Sequence, residues 1–181
     1  MNRGKLIVSV FVLSMLVLGS AAMAGHEIVG AAKCKMCHMA KTGDQYKIWS
    51  ETAHSQAFAT LASDKSKQIA DGLGLGDPQK AEACLACHTT NAFLGKDVVV
   101  NAKGKYTDDE GVGCEACHGA GSDYRKTKVM KNREAAVANG LIIALDQAYC
   151  EKCHNEESPT FEGFEFEKQW ELIKHPIPAT E

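Results

Sequence analysis

The chain repeats one five-residue pattern, Cys-x-x-Cys-His, four times along its 181 residues, at 34–38, 84–88, 114–118 and 150–154. The pattern is the attachment signature of c-type haem, in which two thiols bond one porphyrin and the histidine becomes an axial iron ligand. The copies use all eight cysteines of the chain, namely Cys34, Cys37, Cys84, Cys87, Cys114, Cys117, Cys150 and Cys153. The sequence therefore predicts four covalently attached haem c groups, whose proximal iron ligands are His38, His88, His118 and His154.

Two other interpretations of the cysteines are zinc binding and disulfide formation. Paired Cys-x-x-Cys segments bind zinc, and cysteines of exported chains commonly form disulfides. A histidine directly after each of the four pairs favours haem over both alternatives, and haem staining of the protein on a gel distinguishes the three.

The first 24 residues are typical of a signal peptide. Two basic residues precede an apolar run over Leu6–Leu18, which is shorter than the roughly 20 residues that span a bilayer. Ala22 and Ala24 then provide a small-x-small cleavage site. We expect a mature domain over residues 25–181 with no membrane span. We also expect export, either to the periplasm or to the cell surface or extracellular space. An uncleaved membrane anchor is the alternative.

Charge and length narrow the remaining classes of protein. Twenty basic residues against 23 acidic ones give a net charge of −3, which does not fit a basic nucleic-acid footprint. Four haems in one small domain leave few residues for each haem, and small chains rely on covalent or metal staples. We expect a mainly α fold, with short helices and much irregular chain wrapped around four haems.

Local patterns predict some of the elements. Apolar residues at helical spacing predict a helix over 44–62, beginning at an N-cap aspartate. Glycine and proline predict a loop over 72–78, and a second helix follows over 79–87. A third helix is predicted over 132–139 with a glycine after it. A short strand over 98–100 is the weakest of these predictions.

The haem motifs carry two further expectations. We expect each motif to open a short helix. Gly111, Gly113, Gly119 and Gly121 flank the third motif, and glycines in such positions permit close backbone approach.

The histidine count limits the iron ligands. The chain has seven histidines, so three distal candidates remain for four irons. His54 is the strongest candidate because aromatic residues accompany it on its helix. His175 precedes Pro176, which favours an extended backbone. His26 lies near the mature terminus, where fraying is as plausible as ligation to its own or a neighbouring molecule's haem.

The fourth iron needs another ligand or stays open. Methionine is the other common second ligand and raises the haem potential. Met130 is the best placed methionine in the sequence, although an apolar packing role is the more common one. The remaining option is a five-coordinate iron, which would bind small molecules and distinguish an enzyme or gas binder from an electron carrier.

Five segments give the chain a family resemblance: 33–38, 49–54, 111–119, 150–154 and 158–159. With these segments the sequence resembles the tetrahaem cytochrome c-554 family. The Thr-Ala-His and Gly-Val-Gly-Cys-Glu stretches add specificity beyond the bare haem motif. The resemblance spans nearly all of the mature chain.

The resemblance implies a mostly helical fold with haems stacked in close pairs. It also implies three bis-histidine haems and one five-coordinate haem on the second motif, with His88 as its proximal ligand. The type protein of the family has further histidines between the third and fourth motifs, whereas this chain has none over 119–153. The pairing of distal ligands with haems therefore stays open, with His26 and Met130 among the candidates.

Three functions follow from these observations. The first is electron transfer between redox protein partners, without enzymatic activity. The second is a homo-oligomeric, conductive cytochrome filament, because the chain also resembles the tetrahaem subunits of extracellular filaments in which one subunit lends a histidine to the next. The third is binding or reduction of nitric oxide or another nitrogen oxide at one open haem.

Overall fold

The computed structural model describes residues 25–95 and 97–178, and this part of the chain is helical without a named strand. The mainly α prediction is confirmed, whereas the predicted signal peptide over 1–24 lies outside the described residues. Turns of 3₁₀ helix occupy Ala40–Thr42, Ala53–Gln56 and Asp108–Glu110. The α-helices are α1 (Ala31–Lys35), α2 (Gln45–Ser50), α3 (Ala57–Thr60), α4 (Asp64–Gly72), α5 (Glu82–His88), α6 (Thr90–Leu94), α7 (Cys114–His118), α8 (Thr127–Met130), α9 (Arg133–Ala138), α10 (Gln147–Cys150) and α11 (Phe166–Ile173).

Across these ranges no helix has both the length and the apolar character needed to cross a bilayer.

The predicted helix over 44–62 is wrong as one element. After α2 the backbone of Thr52 turns extended, with φ −89° and ψ 162°. The Ser55 hydroxyl donates 2.9 Å to the carbonyl of Thr52, which offers the backbone an alternative to continued helix. Asp44 does precede α2, but its φ of 57° is left-handed and its side chain makes no cap bond. The break places His54 on a separate 3₁₀ turn.

The predicted strand over 98–100 is also wrong. One parallel bridge joins Ile28 to Val100, with the Asn101 N–H donating 2.8 Å to the Ile28 carbonyl. The ladder ends there because the next two amides of the N-terminal segment donate to the side chain of Glu115 instead.

Other local predictions hold. Asn132 caps α9, since its side chain accepts the Ala135 N–H at 2.9 Å, and Gly140 follows the helix with φ +97°. The stretch over 73–78 is irregular as expected, and α5 begins three residues later than predicted. Helices α4 and α11 were not anticipated from the sequence.

The haem motifs sit on helices in different ways. Only the third motif opens a helix, α7, so the expectation that every motif does so is wrong. The second motif closes α5, and in the other two a helix ends at or just after the first cysteine. Even there the turn continues, because the His38 and His154 N–H groups donate 3.0 Å to the carbonyls of Cys34 and Cys150. Each motif therefore keeps its histidine one turn beyond its first cysteine.

The buried apolar side chains are mostly small. More than half of them are alanine, so polar contacts do much to hold the segments of the chain in place. Among the described residues they are Ile28, Val29, Ala31, Leu61, Ala70, Ala116, Ala120, Tyr124 and Ala136.

A buried carboxylate in the third motif holds the N-terminal segment. Glu115 is 0% exposed and accepts the N–H groups of Val29 (2.9 and 3.0 Å), Gly30 (2.7 Å) and Gly121 (2.6 Å). Burial raises the pKa of Glu115, and these three backbone hydrogen bonds oppose that rise. One side chain thus satisfies three amides that would otherwise be buried without an acceptor.

A second carboxylate repeats this contact one residue further along. Glu110 accepts the Ala31 N–H at 2.9 Å through Oε2. Its other oxygen is buried without a hydrogen-bond partner among the described residues. Burial raises the pKa of Glu110 to about 7. The carboxylates of Glu110 and Glu115 together hold the start of α1 against residues 110–118, the segment that contains the third motif.

Glu115→Ala should lower the free energy of unfolding of the holoprotein by about 3 kcal/mol or more, because each orphaned buried amide costs about 1–3 kcal/mol. Denaturant titration followed by circular dichroism measures the change. Glu162→Ala removes an exposed carboxylate and serves as the control, with an expected loss under about 0.5 kcal/mol. Equal losses in the two variants would contradict the clamp.

Glu110 should make stability depend on pH. Its folded pKa of about 7 lies above the ordinary 4.5, so its stabilising contribution is full below pH 4.5 and is lost as pH rises towards 7. Glu110→Gln removes the titration while keeping an oxygen for Ala31. The slope of unfolding free energy against pH over that window should flatten in the variant, and an unchanged slope would rule Glu110 out as its source.

Candidate haem centres

Backbone carbonyls orient two of the motif histidines. The ring Nδ1 of His88 lies 2.7 Å from the carbonyl of Ala57, and that of His118 lies 2.8 Å from the carbonyl of Ile142. A carbonyl only accepts, so Nδ1–H must donate, and Nε2 then keeps its lone pair. This is the outer contact that fixes the tautomer and direction of a metal-binding histidine.

Side chains orient the other two motif histidines. His38 lies against the side chain of Gln45, which is 6% exposed and donates 3.0 Å to the carbonyl of Pro176. His154 stacks on Phe164, with ring centroids 4.8 Å apart and planes 16° apart. All four motif histidines therefore have a contact that fixes the ring.

Two of the predicted distal histidines face motif histidines. The centroids of His54 and His154 lie 6.0 Å apart, and those of His118 and His175 lie 5.7 Å apart. Two imidazoles that bind one metal from opposite sides, each through nitrogen at about 2.0–2.1 Å, have centroids about 6 Å apart. Both ring planes then contain the metal–nitrogen axis, so their tilts of 61° and 48° are permitted. The two pairs fit bis-histidine haem ligation.

The protonation state of these rings suits metal binding. Burial lowers the pKa values of His38, His54, His118 and His154. The side chain of Gln45 opposes this for His38 by raising its pKa. Neutral imidazole is the form that binds metal, so burial holds the rings in the form that binds iron.

His26 is not brought to a motif histidine. Its Nδ1 lies 3.0 Å from Asp123 Oδ2, and the other side of the ring lies on Gly140, where an added Cβ would be 2.8 Å from Nε2. The hydrogen bond with Lys126, and then the one with His26, lower the pKa of Asp123 to about 2. The geometry gives the expectation of His26 as a distal ligand no support.

Two motif histidines have no second imidazole. Within the described part of the chain, neither His38 nor His88 makes a ring contact with another histidine. Met130, the other candidate ligand, ends α8 and is half-buried. The ring contacts thus give the third and fourth motifs a facing histidine each. They give none to the first and second, although His175 is near enough to His38 to lower its pKa.

The cysteines bring the motifs together in twos. The thiols of Cys34 and Cys114 lie close enough to interact, as do those of Cys87 and Cys153. Each thiol is a candidate attachment point for one porphyrin. The first motif therefore adjoins the third, and the second motif adjoins the fourth.

The third and fourth motifs connect these two pairs. The Tyr149 hydroxyl donates 2.6 Å to the carbonyl of Ala116 inside the third motif. Cys117 and Cys150 are near enough to interact electrostatically. The contacts give the spatial order first, third, fourth, second.

Glycines beside the third motif permit close backbone contact, as the sequence predicts. A Cβ on Gly111, which has φ +67°, would lie 2.6 Å from the carbonyl oxygen of His54. That oxygen instead accepts the Val112 N–H at 2.9 Å, and the Trp49 indole donates 2.9 Å to the Val112 carbonyl. The glycine lets the chain before the third motif pack on the turn that carries His54.

Residues 33–119, which contain the first three motifs, match the family model described as cytochrome c554 and c-prime. Over this range the chain is similar to the cytochrome c554 family. The resemblance inferred from the sequence is confirmed, and the chain is a haem-binding, c-type cytochrome.

A curated relative supports the same assignment. Cytochrome c-554 of Nitrosomonas europaea is 32% identical over 123 residues, which is 62% of this chain and 47% of the relative. The chain thus spans about half the length of the curated relative it matches. No solved structure matches the chain.

His54→Ala and His175→Ala should each convert one low-spin ferric haem to high spin, because each removes one ring of a facing pair. Electron paramagnetic resonance of the oxidised holoprotein measures the change. His26→Ala is the matched control and should leave the low-spin signals unaltered. A spectrum that changes only in the His26 variant would overturn the ligand assignment.

Proposed function

We propose that this cytochrome is an exported electron-transfer protein that carries four covalently bound haem c groups and relays electrons between redox partners. The contacts between motif cysteines carry this proposal, because they connect all four attachment sites into one series. A relay needs haems near enough for electrons to pass between them, and neighbouring attachment sites bring the haems close.

The chain's own residues have distinct roles in this proposal. The eight cysteines attach the porphyrins, and His38, His88, His118 and His154 are the proximal ligands. His54 and His175 complete the fourth and third sites. When bound, haem iron accepts and returns one electron. The carbonyls and side chains that hold Nδ1 keep each ring in place, which tunes the metal and limits rearrangement on reduction.

A second candidate function is small-molecule binding at an open iron. The absence of a facing imidazole at His88, within the described residues, favours it. The family resemblance implies an open haem at the same motif. Nitric oxide is the suitable probe for such an iron.

A filament is less favoured than either. It would need a histidine donated to another copy, and His26 is the histidine left for that role. Its ring contacts Asp123 and Gly140 of its own chain.

Intact-mass measurement of the purified holoprotein tests the proposal directly. The mass should equal the chain from Gly25 onward plus four haems, since export and cleavage precede attachment. The double variant Cys84→Ala with Cys87→Ala should carry three haems. It should also lose a high-spin signal that responds to nitric oxide, with the low-spin signals retained.

The controls separate the possible outcomes. Met130→Leu removes the alternative ligand and should change neither the number of bound haems nor the spin states. Fewer than four haems in the wild-type protein would refute the tetrahaem assignment. A nitric oxide response that persists in the double variant would place the open iron elsewhere.

A further inference from the structure

Charge is distributed unevenly between the first and fourth motifs. Residues 31–50, around the first motif, hold four lysines and one carboxylate, that of Asp44. Residues 146–174, around the fourth, hold eight carboxylates and three lysines. The surroundings of the first and fourth motifs therefore have opposite charge, although the whole chain is mildly acidic.

The cationic end has an apolar centre. Met36 is 76% exposed and Met39 is 41% exposed, and the exposed residues Lys35, Lys41 and Lys47 accompany them. We call these five residues the lysine face.

Hydrogen bonds hold the lysine face together as one surface. The Thr42 hydroxyl donates 2.9 Å to the Cys37 carbonyl, and the Tyr46 N–H donates 3.0 Å to the His38 carbonyl. The Lys35 ammonium lies 5.1 Å from the centre of the Tyr46 ring. Helices α1 and α2 and the 3₁₀ turn between them thus form a single compact unit around the first motif.

The attachment site of the first motif is partly at the surface. Cys37 is exposed, whereas the other seven cysteines are half-buried. A haem attached through Cys37 would have that thioether beside the lysine face, where electron transfer to a docked protein would have the shortest path.

The charge of the lysine face is not neutralised locally. Among the described residues, no carboxylate forms an ion pair with its three lysines. Five of the other lysines pair with a carboxylate three residues away, namely Lys67, Lys80, Lys126, Lys168 and Lys174.

We propose that the lysine face is the docking surface for an acidic electron-transfer protein, which exchanges electrons with the haem of the first motif. The proposal rests on the electron-transfer function proposed above. Exposed apolar residues with a polar rim are the usual anatomy of a protein interface. Uncompensated cations raise the association rate of an anionic partner, and the acidic surroundings of the fourth motif repel the same partner.

The test uses a plant-type [2Fe–2S] ferredoxin as an acidic probe. Reduced ferredoxin gives one electron to a ferric haem of the oxidised holoprotein, and stopped-flow absorbance follows the ferrous haem. The triple variant Lys35→Glu, Lys41→Glu and Lys47→Glu should slow the bimolecular rate by about tenfold or more at low ionic strength. The difference should shrink with added salt, since the Debye length falls from about 30 Å at 0.01 M to about 3 Å at 1 M.

The matched control reverses three exposed lysines outside the lysine face. The variant Lys65→Glu, Lys128→Glu and Lys131→Glu makes the same change in net charge and should retain most of the wild-type rate. Haem content and circular dichroism establish that all variants fold. Ferricytochrome c, a basic acceptor, should reoxidise the reduced lysine-face variant at least as fast as the reduced wild-type protein.

The outcomes separate the two proposals. Equal slowing in both triple variants would mean that net charge alone sets the rate and would overturn the docking surface. Wild-type association into oligomers that the lysine-face variant abolishes, with an unchanged ferredoxin rate, would make a second copy the occupant and also overturn it. If the wild-type protein exchanged electrons with neither probe protein, the electron-transfer function itself would fail.

Discussion

The buried carboxylate of Glu115 is the contact on which the arrangement of the haem motifs depends. It lies between the two cysteines of the third motif and accepts three backbone amides, two of them from the segment just before the first motif. That contact joins two segments that are separated by 84 residues in the sequence, and it places Cys34 near Cys114. Because most buried apolar residues are alanine, side-chain packing alone does little to fix the position of the first motif against the third. A directional, charge-assisted hydrogen bond fixes that position instead.

The second consequence is that one continuous series of haem sites differs in chemistry along its length. The third and fourth motifs have histidine rings facing their proximal ligands, whereas the first and second do not. The first motif is surface-exposed and cationic, and the second adjoins the fourth through Cys153. With haem bound at all four motifs, as proposed above, the two middle irons would each lie between two histidines and the two end irons would not. Transfer between proteins or with small molecules would occur at those ends.

The sequence predicted the chemistry better than the geometry. Covalent attachment needs fixed residue types at a fixed spacing, so the sequence alone names the candidate cysteines and proximal histidines. Simple counting then left His54, His175 and His26 as distal candidates. The carbonyls of Ala57 and Ile142 that orient His88 and His118 were not identifiable, because every residue type carries a carbonyl. The break at Thr52 was missed because the apolar periodicity continues through it. The Ser55 hydroxyl, which bonds the Thr52 carbonyl there, leaves no mark on that periodicity. His26 was a candidate by elimination, and its actual partner, Asp123, lies 97 residues away.

The most direct test of this account is a crystal structure of the holoprotein that resolves the four irons. The account predicts that the shortest iron–iron distances join the first motif to the third and the second to the fourth, with the third and fourth motifs linking the two pairs. His54 and His175 should lie across the irons of His154 and His118. A structure in which the first and second haems are nearest neighbours, or in which His26 ligates an iron of its own chain, would contradict it.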